Sequence, residues 1–295
     1  MRARAPDAAG LAEARDGVPI AWEAVGAGDP TLVFLPSAPI VHSRQWKGQV
    51  PWLSRRHRVV TYDGRGNGRS GRPTSPEAYS AERMVGDLAA VMDATATPAA
   101  VLVGLCGDGV WHAVRYAAAH PERVLGIVAF AVGVPLLSPP HPWRVQHSFT
   151  EELPEYEGWA KLNEHYWRRD YHGFVDFFFD QLLVEPHSTK QHEDIVGWAM
   201  DGSVEAMLAD AGAPGTRDVE EVVEIARAVR CPMLLVHGSE DRCQPLTRAK
   251  AFSELTGAPL VVVEGAGHLI PGRHPVKANL LIREFLDSLA LEAVP

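Results

Sequence analysis

Across residues 1–134 and 214–295 the chain alternates between two hydrophobic rhythms. Short runs of valine, leucine and isoleucine at 31–36, 57–63, 99–105, 124–132, 231–237 and 259–264 predict β-strands. Nearly every position in them is apolar, as expected of strands covered on both faces, and the run at 18–25 is expected to pair at a sheet edge. Between these runs, apolar residues recur every three or four positions. Met84, Val85, Leu88, Val91 and Met92 form one helical stripe behind an N-cap at Ser80. Asp218 with Glu221 matches a capping box, and Gly257 is placed to close a helix running from about Leu246. A last helix, from Pro275 to about Leu291, is expected to bury Leu280, Leu281, Phe285 and Leu289. Strands alternating with helices predict an α/β fold with a mostly parallel, doubly wound sheet.

Residues 135–213 break the alternation. They open with Pro135, Pro139, Pro140 and Pro142 and then turn helical and aromatic, with Ser188 and Gln191 marking one helix start. The expected organisation is therefore an α/β core in two parts, 1–134 and 214–295, with a helical cap at 135–213. Inserted helices over the C-terminal ends of a parallel sheet lie where ligands bind. Most of the aromatics are expected to form the cap's own core; Trp143 and Trp167 are kept as candidates to line a pocket.

Charge narrows the partners. With 28 basic and 37 acidic residues the net charge is −9, which argues against a nucleic-acid or anionic-membrane surface and leaves a small molecule as the expected partner. Residues 1–10 carry two arginines but no apolar segment follows, and no apolar run approaches the roughly 20 residues of a membrane span. A soluble cytoplasmic protein with a loose N-terminus is the expectation. Cys106, Cys231 and Cys243 are an odd number without CxxC spacing, so neither a disulfide framework nor a zinc site is expected, and no cofactor is implied.

The densest chemical signal lies at Val101-Leu-Val-Gly-Leu-Cys106-Gly-Asp-Gly-Val110. An apolar strand runs through a glycine-rich bend into a helix and leaves Cys106 at the apex. Such a turn exposes one side chain above the sheet and aims the next backbone N–H at whatever that side chain attacks. Taken alone, the same stretch also fits a buried cysteine beside a turn.

Five segments extend the signal: Asp63-Gly-Arg-Gly-Asn-Gly-Arg-Ser70, Gly104-Leu-Cys-Gly-Asp-Gly109, Pro121-Glu-Arg-Val124, His237-Gly-Ser-Glu-Asp241 and Gly265-Ala-Gly-His268. In this order they resemble the α/β-hydrolase superfamily over nearly the whole chain outside the cap. The resemblance implies a nucleophile, an acid and a histidine in the order Cys106, Asp241, His268, all arriving at one sheet edge. A thiol of pKa about 8.5 needs an imidazole or a helix N-terminus to lower it, Asp241 would orient the imidazole, and His268 would protonate the leaving group. Glu240 is the neighbouring stand-in for the acid, and His237 is read as structural.

The departures from the family pattern are specific. Cysteine replaces the commoner serine, which resembles dienelactone hydrolases and cysteine-type thioesterases. Oxyanion donors carry over to the backbone of Gly107 and, after the variant Pro36-Ser37-Ala38, of Ala38. Asp108 stands where a small residue is usual; it serves as a helix cap, as a polar substrate contact or in proton transfer, and its charge so near Cys106 would oppose thiolate formation. Trp46, in His42-Ser43-Arg44-Gln45-Trp46, is placed either at the pocket mouth or in the core. The expected function is hydrolysis of an ester, thioester or lactone, free or carrier-linked, through a Cys106 acyl-enzyme in a monomer or homodimer. Acyl transfer or cyclisation, and a non-catalytic ligand-binding member of the fold, are the alternatives.

Overall fold

The computed structural model describes residues 5–216 and 218–292. Eight strands form one sheet: β1 (Ala8–Glu13), β2 (Pro19–Val25), β3 (Leu32–Phe34), β4 (Val59–Tyr62), β5 (Ala100–Leu105), β6 (Val124–Phe130), β7 (Met233–Gly238) and β8 (Leu260–Val263). Their spatial order is β1-β2-β4-β3-β5-β6-β7-β8, parallel from β4 onwards and antiparallel at the β1/β2/β4 end. The run at 18–25 is thus second in the sheet, not its edge. The edge is β1, within a stretch expected to be loose; its small residues give little hydrophobic signal, and Gly10 packs under the Trp22 ring, where a Cβ would come within 2.8 Å. Residues 1–4 of that stretch lie outside the described residues.

β5 and β6 sit at the centre of the parallel part and are buried at almost every position. Helices α1 (Ala81–Ala94), α2 (Cys106–Ala119), α7 (Val219–Ala228), α8 (Leu246–Thr256) and α9 (Pro275–Glu292) flank the sheet. One hydrophobic cluster gathers Leu88, Val91, Val110, Val114, Leu102 and Phe252 on one face; another gathers Val101, Val103, Val128, Ile282 and Phe285 on the other. Two-sided burial is why these strands read as continuous apolar runs.

The caps follow the sequence with two differences. Ser80 Oγ accepts from Arg83 N, Asp218 Oδ1 accepts from Glu220 N at 2.8 Å, and Gly257 closes α8 at φ +72°. Glu221, however, pairs with Arg115 at 3.0 Å. Ser188 gives its hydroxyl to the Glu185 carbonyl and not to the helix it precedes. In α9 the buried face is Ala278, Ile282, Phe285 and Leu286, with the expected Leu281 and Leu289 partly buried against the same cluster; of the expected stripe only Leu280 points outward.

Between β6 and β7 lie α3 (Glu164–Arg169), α4 (Tyr171–Leu182), α5 (Thr189–Ala199) and α6 (Val204–Ala211). Asn163 caps α3 and Asp170 caps α4 through their side chains. Tyr166, Trp167, Phe174 and Phe179 are buried among one another and join the cluster that lies over β5, so this segment shares a core with the sheet. Among the described residues no helix is long and apolar enough to cross a membrane.

Candidate active site

Cys106 occupies the junction of β5 and α2 with φ +67°, a left-handed conformation that a residue with a Cβ adopts only under constraint. Two glycines create the constraint. A Cβ on Gly104 would lie 2.6 Å from the Gly109 carbonyl oxygen, and one on Gly109 would lie 2.9 Å from the Pro36 carbonyl oxygen. Strand, helix and the loop after β3 therefore meet backbone to backbone, and the bend leaves Cys106 partly exposed at the first turn of α2. The Gly107 N–H donates toward the Cys106 sulfur.

The other two residues arrive from the ends of β7 and β8. His268 Nδ1 lies 2.8 Å from Asp241 Oδ2, with both side chains buried. A ring nitrogen of His268 and the Cys106 sulfur lie within 4.8 Å of each other. Glu240 points to solvent, so Asp241 alone meets the imidazole. His237 is fully buried and its Nε2 lies 3.0 Å from the Gln244 carbonyl oxygen, which makes it part of the loop's scaffold.

The acid loop is held from two sides. Asp241 Oδ1 accepts from Cys243 N at 2.7 Å and from Gln244 N at 2.9 Å. From the inserted segment, His141 Nε2 lies 2.8 Å from the Asp241 carbonyl oxygen, Trp143 Nε1 donates to that of Arg242 at 3.4 Å, and Arg144 Nη1 donates to that of Cys243 at 2.9 Å. The histidine loop is gripped by the same segment: His268 N donates to the Leu182 carbonyl, and Gly267 N to Glu185 Oε1.

Cys243 went unnoticed in the sequence beyond being counted. Its sulfur lies within 4.8 Å of the Cys106 sulfur and the His268 ring nitrogen, and 3.3 Å from Arg144 Nη1. Gln244 Nε2 donates weakly to Cys106 Sγ at 3.8 Å, its amide oriented by Arg248 Nη1 at 2.7 Å from Oε1. The position of Cys243, two residues after the acid, was the available signal: whatever places Asp241 at the sheet edge places Cys243 there as well. Cys231 precedes β7 and so sits at the opposite end of that strand.

The charges follow from this geometry. The hydrogen bond to Cys243, then burial, the Cys243 charge and Asp108 all push the Cys106 thiol up, against the pull of the Gly107 N–H. This reverses the expectation of a lowered Cys106 pKa. The hydrogen bond from Cys106, with the His268 and Arg144 cations, brings Cys243 down to about 6 despite burial. Burial disfavours the His268 cation, but the Asp241 and Cys243 charges and the hydrogen bond to Asp241 outweigh it and raise the imidazole to about 9. Burial raises Asp241, and His268 more than offsets this to hold it below the ordinary carboxylate value.

Asp108 lies in the first turn of α2, behind Leu105 at the N-cap position. It lines a cavity of about 260 Å³ beside Gly107, together with Tyr79, Trp111, His112, Gly133 and Asp210. Burial, and then the Cys243 charge, raise Asp108 to about 6; burial and the Asp108 charge push Asp210 well up. Of the expected pocket aromatics, Trp46 is wholly buried, edge-on to Phe34 and donating from Nε1 to the Leu35 carbonyl at 3.1 Å. It is packed in the core cluster on the Phe34 side of the sheet. Trp167 packs on Phe149 and Phe174 within the inserted segment, and Trp143 stacks on His141 at the surface beside the acid loop. Ala38, partly exposed, follows the Pro36 and Ser37 that face Gly109.

A sequence profile described as the alpha/beta hydrolase family matches residues 32–278, and the chain belongs to that family. It is 28% identical to a 2-hydroxymuconate semialdehyde hydrolase from a Pseudomonas species, over 91% of this chain and 90% of that one. It also matches the crystal structure of a bromoperoxidase from Bacillus anthracis (22% identity, 95% and 100% of the two chains, TM-score 0.79). A third match is the enol-lactonase from Burkholderia xenovorans (20% identity, 94% and 100%, TM-score 0.76). At these identities the structural matches establish the fold, and the comparisons as a whole support a hydrolase of that fold.

Proposed function

We propose that the protein is a thiol-dependent hydrolase of small esters, thioesters or lactones, with Cys106 as nucleophile, His268 as proton carrier and Asp241 as the group that orients it. The observation that carries this reading is the left-handed Cys106 at the β5–α2 turn, with the hydrogen-bonded His268–Asp241 pair beside it.

In the first half-reaction the Cys106 sulfur bonds to the substrate carbonyl carbon as its proton passes to the His268 ring nitrogen beside it. The carbonyl oxygen becomes an oxyanion held by the N–H groups of Gly107 and Ala38. The alcohol, thiol or enol departs with a proton from His268, leaving a thioester on Cys106. In the second half-reaction water gives its proton to His268, attacks the thioester carbonyl and releases the acid, and the proton returns to the sulfur. Asp241 stays ionised throughout. Acyl transfer or cyclisation would replace only that water, with an amine or hydroxyl. Cytoplasmic residence and a small-molecule partner remain part of this reading.

The test is intact-protein mass spectrometry after brief exposure to a panel of aryl esters, thioesters and lactones. An acyl mass on Cys106 is expected, with turnover falling at least about 10³-fold in Cys106→Ala. An unchanged rate in that variant refutes the proposal. A second reading, a ligand-binding member without turnover, is favoured by the raised Cys106 thiol. It predicts that Cys106 resists iodoacetamide at neutral pH and that no ester of the panel is consumed.

A further inference from the structure

We propose that Cys106, Cys243 and His268 form a binding site for a soft divalent cation, Zn²⁺ above all, whose occupancy shuts the site down. The three donors come from the ends of β5, β7 and β8, so no short-range spacing announces them. Their ligand atoms, two sulfurs and one ring nitrogen, lie within 4.8 Å of one another. A tetrahedral zinc with bonds of about 2.3 Å to sulfur and 2.0–2.1 Å to nitrogen needs donor separations of roughly 3.5–3.8 Å. The site therefore has to contract by at most about 1.3 Å. Two thiolates and an imidazole are a donor set that selects zinc over the hard cations, which prefer oxygen.

The surroundings also suit an ion. His268 Nδ1 is taken by Asp241 at 2.8 Å, which leaves Nε2 as the ring nitrogen free to bind. A carboxylate behind the histidine fixes its tautomer and raises its basicity, as is common around zinc. Arg144 Nη1, 3.3 Å from the Cys243 sulfur, supplies the N–H that a coordinated thiolate accepts. Cys243 and His268 are almost wholly buried while Cys106 is partly exposed, so an ion enters past Cys106 and keeps one coordination position for water. Each thiol still protonated releases its proton to solvent on binding. The bound ion takes the sulfur of Cys106 and the free nitrogen of His268, so attack and proton transfer stop together.

The test needs no substrate, so its result is independent of whether any ester is hydrolysed. Metal-free, reduced protein, with its thiols counted beforehand, is titrated with Co²⁺ and followed by thiolate-to-cobalt absorption. One Co²⁺ per chain is expected, displaced by Zn²⁺. The charge-transfer intensity should fall by about half, and affinity at least tenfold, in Cys106→Ser and in Cys243→Ser, while Cys231→Ser matches wild type. Absence of the absorption in wild type with both thiols free overturns the proposal. So does a spectrum unchanged in Cys243→Ser, or a Cys106–Cys243 disulfide that persists under reductant. Circular dichroism of each variant separates lost ligands from lost fold.

Discussion

Two buried polar clusters sit at the same end of this sheet, and they differ in how completely their groups are matched. After β4, Arg65 is wholly buried, and Nε and Nη2 grip the two oxygens of Asp87 at 2.8 and 2.5 Å. Nη1 and Nη2 also reach Asp16, and Nη1 reaches the Ala78 carbonyl at 2.6 Å. Nearby, Asp63 accepts from Ser43 Oγ at 2.6 Å and from the backbone N–H groups of Ser43 and Arg69. Every group there has a partner of opposite kind. Around Cys106 the matching is loose: hydrogen bonds to sulfur of 3.8 and 3.3 Å, and two carboxylates raised by burial, Asp108 also by the Cys243 charge and Asp210 also by that of Asp108. A cluster with all its hydrogen bonds made is scaffold; one with bonds still to make is where a substrate or an ion finds a place.

Arg65→Ala puts that distinction under the greatest strain. It leaves Asp87 buried without its cation, and a loss of about 3–5 kcal/mol in urea unfolding is expected. Cys106→Ala, which removes one sulfur from the loose cluster, should cost well under half as much. Equal losses in the two variants would erase the contrast.

The His268–Asp241 pair gives a medium effect with a definite pH signature. The folded imidazole titrates near 9, above the ordinary 6.5, so its contribution is fully present below pH 6.5 and disappears as the pH rises through about 9. Asp241, held low, adds stability that is lost only as the pH falls below the ordinary carboxylate range. The stability difference between wild type and His268→Gln should therefore shrink between pH 6.5 and 9; a difference that stays constant across that window counts against the ion pair.

The smallest effect belongs to Asp108→Asn. Removing a charge that raises the Cys106 thiol should speed iodoacetamide labelling at neutral pH by up to about tenfold, the equivalent of one pKa unit. Labelling slowed by the substitution would mean that Asp108 helps form the thiolate.

The parallel strands, the caps at Ser80, Asp218 and Gly257 and the meeting of Cys106, Asp241 and His268 were legible because each rests on a local rule: apolar runs, a side-chain oxygen before a helix, a glycine-rich bend. The capping rule failed at Ser188, whose hydroxyl goes to the Glu185 carbonyl. β1 was not, because alanine and glycine carry no hydrophobic rhythm and its pairing comes entirely from β2. Trp46 was ambiguous, since only the fold shows that its N–H meets the Leu35 carbonyl. The sign of the Cys106 shift was read wrongly because it depends on Cys243, far off in sequence and adjacent in space. Local rules report on one element at a time, whereas the electrostatics of the site is a sum over three loops.

The carbonyl groups of residues 241, 242 and 243 are each held by a side chain from 141, 143 or 144. Residues 141–144 thus clamp the loop that carries Asp241. A displacement of this segment loosens the loop that carries Asp241, and with it the partner of His268 Nδ1. In the proposed hydrolysis the seating of residues 141–144 and the alignment of Asp241 are then a single event.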